Sequence, residues 1–246
     1  MRPRRPVKIR YFIVSPGAER DGRIVLDGPE FHHGVRVSRV RDGESVRLID
    51  GRGGLYDARV VRIESDRAVL RVLSFAQTPP PPPVDIALGF IKAPRLDIAV
   101  EKCTEIGVRT IIPFRSERCV RRGEAGEEAA ALDRLRRKAV ASCKQSGRAH
   151  VPAIESVESL DGLAGRIASY ARAFLADQSG AASTPPSPFP GAVLGIVGPE
   201  GGFSAPEIER LAAAGAVPVS LGAARLRAET AAICLSFKLA EEFRTR

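Results

Sequence analysis

The chain has 246 residues, 44% of them hydrophobic, with 38 lysines and arginines against 29 acids and a net charge of +9. This composition supports sizeable buried cores and excludes a disordered chain, and no apolar run reaches the ~18 residues of a membrane span. The basic excess, mostly arginine, points either to an anionic partner such as nucleic acid or to a compositional bias without functional meaning.

Met1 to Arg10 is basic but lacks the apolar stretch and cleavage site of a secretory signal, so a cytoplasmic protein is expected. Arg2, Arg4 and Arg5 in this tail read as solvated charge or as contacts to an anionic partner. Short stretches rich in β-formers follow at Tyr11 to Val14, Ser45 to Asp50, Leu55 to Ile63 and Ala68 to Leu73. Asp50-Gly51-Arg52-Gly53-Gly54 supplies the positive backbone angles of a hairpin turn between two of them. One helical stretch, Glu30 to Val40, interrupts the pattern, and the whole suggests a small β-barrel. Five consecutive prolines, Pro79 to Pro83, can neither continue a helix nor donate to a sheet. They mark a linker, and the expected domains are residues 1–78 and 84–246.

After the linker the pattern becomes that of an α/β domain with a mainly parallel sheet. Val84 to Phe90 reads as a buried strand. Leu96, Val100, Cys103 and Ile106 then recur at helical spacing, with Gly107 as the helix C-cap. Val108 to Phe114 is the next strand, and Leu132, Leu135, Ala139 and Cys143 mark a second helix. Tyr170 to Ala176 and Ala192 to Val197 are further strands, separated by a Pro- and Ser-rich loop at Ala182 to Gly191. Ser204-Ala205-Pro206-Glu207 has capping-box spacing and opens a helix to about Ala214. A last strand, Val217 to Leu221, and a last helix, Glu229 to Phe243, complete the chain. Cys103, Cys119, Cys143 and Cys234 fit no zinc spacing and read as buried apolar residues, so no metal site is expected.

Two loops could carry chemistry. Gly198-Pro199-Glu200-Gly201-Gly202 lies between a strand and a capped helix, where backbone amides can approach a ligand without side-chain obstruction. It lacks the lysine and hydroxyl of a P-loop, and a tight structural turn is the other reading. Leu221-Gly222 leads into Ala223-Ala224-Arg225-Leu226-Arg227-Ala228-Glu229-Thr230 at the start of the last helix. Glu229 and Thr230 could simply cap that helix. Arg227 is not explained that way, because positive charge is unfavourable at a helix N-terminus unless it meets an anion.

With these segments the sequence resembles the 16S rRNA uracil-N3 methyltransferases, a branch of the SPOUT class. The resemblance runs over nearly the whole chain. It is carried by Phe31-His32-His33 with Arg36-Val37 and Arg39, by Asp50-Gly51 with Tyr56-Asp57-Ala58, and by Glu101-Lys102 through Glu105-Ile106-Gly107-Val108 to Pro113 and Ser116-Glu117-Arg118. Gln145-Ser146-Gly147-Arg148 with Val151-Pro152, the Gly198 to Gly202 loop, and Leu226-Arg227 with Glu229-Thr230-Ala231 continue it. Ala223-Ala224 stand where Pro-Arg is usual, Ala228 where Thr is usual, and Lys144 where Glu is common.

The resemblance implies an N-terminal PUA-like RNA-binding barrel and a C-terminal SPOUT α/β domain tied in a trefoil knot. It implies S-adenosyl-L-methionine as cofactor, 16S rRNA or the small ribosomal subunit as substrate, and a homodimer with its active site at the interface. Cofactor contacts would come from Gly198, Pro199, Glu200, Gly201 and Gly202, from Leu221, Gly222 and Leu226, and from Leu175 and Thr230. Arg227 would stabilise the imide anion of uracil, with Glu229 orienting it or taking the proton. Arg36, Arg39, Arg118 and Arg148 would contact RNA. His32 and His33, with no metal or triad pattern around them, read as fold or RNA-contact residues. Two alternatives are a SPOUT enzyme acting on another nucleotide or atom, and an RNA-binding homologue that has lost catalysis.

Overall fold

The computed structural model describes residues 9–32, 34, 39–119, 125–181 and 189–243. Arg2, Arg4, Arg5, His33 and Arg36 lie outside the described residues. The chain divides into two compact units, residues 1–80 with 143–151, and residues 81–142 with 152–246.

The first unit is built on strands β1 (Tyr11–Ile13), β2 (Arg23–Asp27), β3 (Ser45–Ile49), β4 (Gly54–Ile63) and β5 (Arg67–Gln77), in sheet order β1-β3-β4-β5-β2. The expected hairpin joins β3 to β4, with Ile49 opposite Leu55. Asp50 Oδ1 accepts from the amides of Arg52 and Gly54 at 2.8 Å each, while Gly51 and Gly53 take φ of 74° and 103°. β2 was not expected, although Ile24 and Leu26 alternate inward as a half-buried strand requires. With Phe12, Val46, Leu48 and Leu70 they form the core.

The helix expected at Glu30 to Val40 begins earlier, as α1 (Gly28–Phe31), because Asp27 is extended at its N-cap and Pro29 follows in its first turn, and His32 and Gly34 continue in π-helical backbone. Arg39 has φ 54°, a left-handed conformation that no α-helix continues through, and most of the remaining span lies outside the described residues.

Residues 143–151 pack with this first unit, which pattern reading assigned wholly to the second domain. Cys143 and Ala149 are buried with Ile49, against Tyr11, Ile13 and Leu55. The amide of Gly53 donates to Ala149 O and that of Val151 to Gly51 O, both at 3.0 Å. Lys144, one of the departures from the family pattern, donates to Glu30 Oε1 at 2.7 Å with both side chains about four-fifths buried. Burial pushes the Cys143 thiol up to about 12, so it stays neutral.

The second unit is a seven-stranded, all-parallel sheet of β6 (Val84–Gly89), β7 (Thr110–Arg115), β8 (Ala153–Ile154), β9 (Glu158–Ser159), β10 (Arg172–Ala181), β11 (Val193–Val197) and β12 (Ala216–Val219). The order is β12-β10-β11-β6-β7-β8, with β9 also beside β7. Every residue of β6 and β11 is buried, as a parallel strand covered on both faces requires.

Helices α2 (Ala93–Ile106), α3 (Ala125–Ser146), α4 (Leu160–Arg166), α5 (Ala205–Ala213) and α6 (Ala228–Glu241) connect the strands. α2 and α6 pack together, and a Cβ at Gly195 of β11 would meet Leu235 and Leu239 of α6, the former at 2.9 Å. The neighbouring β11 residues Leu194 and Ile196 face the other way, onto Leu163 of α4 and Leu211 of α5. Gly107 closes α2 at φ 102°, its amide donating to Cys103 O and Thr104 O. Leu132, Leu135, Ala139 and Cys143 form the buried stripe of α3, as their spacing predicts. β8, β9 and α4 were not legible, being two to seven residues long.

Candidate cofactor cleft and active site

A cleft of about 380 Å³ opens at the carboxyl ends of β10 and β11 and beside the segment that follows β12. In an open parallel sheet this is where ligands bind, because the strand ends splay and the order of connections reverses there. Here the order turns back between β6, which runs on to β7, and β11.

The first wall is Gly198 to Gly202, entered from β11 and left through α5. Its path is fixed by close packing. A Cβ at Gly89 would sit 2.5 Å from Pro199 N, and one at Gly198 would sit 2.7 Å from the Phe203 ring. Phe203 in turn stacks on Phe114 with centroids 6.0 Å apart. Gly202 takes φ 69°, a turn conformation that a side chain would strain. Glu207 anchors the exit, accepting from the Ser204 amide at 2.9 Å and the Glu117 amide at 2.7 Å.

The second wall is the stretch from Leu221 to Ala228, with Gly222 at φ 141° and open space where its Cβ would stand. Leu226 and Arg227 line the cleft. Arg227 is exposed at the N-cap of α6, and the described residues offer its side chain no hydrogen bond or ion pair.

Glu229, in the first turn of α6, is 8% exposed and sits behind the wall. Its Oε2 is buried with no hydrogen-bond partner among the described residues, and its Oε1 lies 3.9 Å from Arg95 Nε. Arg95, in the first turn of α2, also donates to Glu200 Oε1 at 2.7 Å. One guanidinium therefore links the first glycine loop to the acid behind the second. Pattern reading missed Arg95, because a lone arginine between Pro94 and Leu96 carries no motif; only the packing of α2 on α6 brings it to Glu229.

Other expected site residues are placed differently. Leu175 is wholly buried in the core beneath the cleft, and the next residues of β10, Ala176, Asp177 and Gln178, form the floor instead. Thr230 is half-buried on α6 and outside the cleft lining. Arg118 lines the cleft and donates to the carbonyls of Gly201 and Phe203 at 3.2 Å each, holding the glycine loop from outside. Arg39 is exposed and Arg148 half-buried, both in the first unit. Arg225 extends to Glu200 O at 3.4 Å. His32 is exposed in the first unit.

Residues 78–239 match the RNA methyltransferase domain family and residues 26–73 the RNA methyltransferase PUA domain family. The class of protein defined by fold and cleft is thus an RNA methyltransferase joined to a PUA domain. The ribosomal RNA small subunit methyltransferase E of Mycobacterium tuberculosis is 34% identical over 237 residues, covering 90% of this chain and 87% of that protein. The Bacillus subtilis protein of the same name is 27% identical over 90% of this chain and 92% of its own length. The crystal structure of a ribosomal RNA small subunit methyltransferase E from Neisseria gonorrhoeae, bound to S-adenosyl methionine, superposes with a TM-score of 0.84 at 27% identity, over 93% of this chain and 96% of that one. The chain belongs to the ribosomal RNA small subunit methyltransferase E family.

Proposed function

We propose that this protein transfers a methyl group from S-adenosyl-L-methionine to N3 of one uridine in 16S rRNA. The observation that carries the reading is the pairing of two glycine turns around one cleft, with an unpaired arginine on its rim, in a chain similar to small-subunit rRNA methyltransferases along most of its length. The cleft has the size of a small-molecule site, and the open space at Gly222 lets a ligand approach the backbone there. Gly198 to Gly202, Leu221, Gly222 and Leu226 would hold the cofactor, which supplies an electrophilic methyl group when bound.

The chain's own residues then have two tasks. Uracil N3 must lose its proton, and the resulting negative charge spreads onto the two flanking carbonyl oxygens. Arg227 stabilises that charge as an oxyanion hole does; Glu229, whose cationic neighbour among the described residues is Arg95 and not Arg227, would take the proton. The reading extends to a cytoplasmic homodimer, whose C-terminal half is threaded as a trefoil knot and whose active site lies where two copies meet. Ile98 of α2 and Phe237 of α6, 46% and 50% exposed, are apolar groups suited to cover by a second copy. No helix among the described residues is long and apolar enough to cross a membrane.

Nucleoside mass spectrometry of 16S rRNA from cells with and without the gene tests the reading. 3-Methyluridine should disappear and return with the wild-type gene; an unchanged level would overturn it. Arg95→Ala should weaken S-adenosylmethionine binding about tenfold in calorimetry, because a charged hydrogen bond that ties down the Glu200 loop is lost. Arg95→Lys should recover part of that loss. Unchanged affinity in Arg95→Ala would show that the loop holds its shape without it.

A further inference from the structure

The outer face of the first unit's sheet carries a charge pattern that the cleft does not use. β-Pairing sets Ser45 of β3 opposite Arg59 of β4, Arg59 opposite Arg71 of β5, and Arg71 opposite Arg23 of β2. Arg23, Arg59 and Arg71 are all exposed, each lies next to a buried residue (Ile24, Ala58 and Val60, and Leu70), and the strand register pairs them directly, so the three project from the same face. They form one row across adjacent strands spaced about 4.8 Å apart, giving three positive charges within about 10 Å. Like charges directly opposite across strands destabilise a sheet, and an acid within the row itself would relieve them.

The sheet does relieve its other arginines. Arg47 meets Asp57 at 2.8 Å across β3 and β4, one row away. Arg10 pairs with Glu44, and Arg62 and Arg67 both pair with Glu64. Among the described residues, no ion pair or side-chain hydrogen bond involves Arg23, Arg59 or Arg71. The row is flanked by exposed Val25, Val61 and Leu73, which add apolar surface without neutralising charge.

We propose that the Arg23–Arg59–Arg71 row is a binding site for the phosphodiester backbone of RNA, which holds the substrate at a surface other than the methylation cleft. A polyanion with closely spaced charges is the partner that converts this mutual repulsion into attraction, and arginine forks suit phosphate oxygens. Backbone contacts of this kind orient a duplex or strand without reading its sequence. The inference rests on the rRNA reading above for the identity of the nucleic acid, but names a site and residues which that reading does not contain.

The test is anisotropy titration of a labelled 16S rRNA transcript against the full chain at several salt concentrations. The triple variant Arg23→Gln/Arg59→Gln/Arg71→Gln is compared with wild type and with a charge-matched control, Arg136→Gln/Arg137→Gln/Arg210→Gln. The row variant should bind about tenfold or more weakly, and its log–log salt slope should fall by about two to three, one phosphate per lost arginine. Its melting temperature should equal or exceed that of wild type, since like-charge repulsion has been removed, and calorimetric affinity for S-adenosylmethionine should be unchanged. The control should lose little.

Equal RNA affinity in wild type and row variant would overturn the site. So would equal losses in the row and control variants, which would mean that net charge alone governs binding. Row-dependent binding to phosphatidylserine vesicles without any to RNA would also overturn it, in favour of a membrane surface. If wild type itself fails to bind the transcript while still binding S-adenosylmethionine, it is the rRNA reading that fails.

Discussion

Arg227→Ala is expected to lower the rate of methyl transfer by about 10²–10³-fold, the usual cost of removing one charge-stabilising donor. Affinity for S-adenosylmethionine should stay within about threefold of wild type, because the cofactor walls are backbone at Gly198 to Gly202 and Gly222. The reason lies in the placement of this arginine. It occupies the N-cap of α6, where a cation opposes the helix dipole, and no acid among the described residues pairs with it. A charge kept at such a point, on the rim of a cleft, acts on something that arrives from outside. Single-turnover methylation and calorimetry separate the two effects. If turnover and cofactor affinity fell together by the same factor, Arg227 would be a cofactor ligand rather than a stabiliser of the uracil anion.

The second large effect concerns stability at the opposite end of the sheet. Asp85 of β6, only 3% exposed, accepts from Arg109 Nε at 2.9 Å, from its terminal nitrogen at 2.6 Å, and from the Tyr170 hydroxyl at 2.9 Å. Burial, together with the neighbouring Asp85 charge, pushes Tyr170 up to about 12, so it remains a donor at every physiological pH. Arg109→Ala would leave a buried carboxylate with the tyrosine as its remaining side-chain partner. The expected cost is about 3–5 kcal/mol, or roughly 10 °C in the melting temperature of the second unit.

Asp85→Asn should cost less, because the Arg109 side chain is 43% exposed and can turn to water. The order of the two variants is the diagnostic result, measured by urea unfolding. A milder loss in Arg109→Ala than in Asp85→Asn would show that the acid, not the ion pair, holds the strand ends together.

How much of this was legible in the chain varies with the range of the interactions involved. The parallel domain could be read because each element carries its own signal. Leu96, Val100 and Cys103 repeat at helical spacing, Gly107 stops the helix in left-handed backbone, and Ser204 with Glu207 opens the next one. The hairpin at Asp50 was legible for the same reason, its turn chemistry being contained in five consecutive residues. Elements whose signal is short or broken were misjudged. The two-residue strands β8 and β9 have no period to detect.

The sequence by itself determined the α/β pattern, the linker, the two glycine loops and the arginine at the head of the last helix. These are local: backbone conformation and side-chain spacing specify them before any long-range contact forms. Tertiary structure alone decided which of these residues meet. It brought Arg95 to both Glu200 and Glu229, tied Arg118 to the carbonyls of the glycine loop, and sank Leu175 into the core below Ala176. It also aligned Arg23, Arg59 and Arg71 in one row. Strand order and register set those neighbours, and both follow from the cooperative burial of the two cores, which no short window of sequence contains.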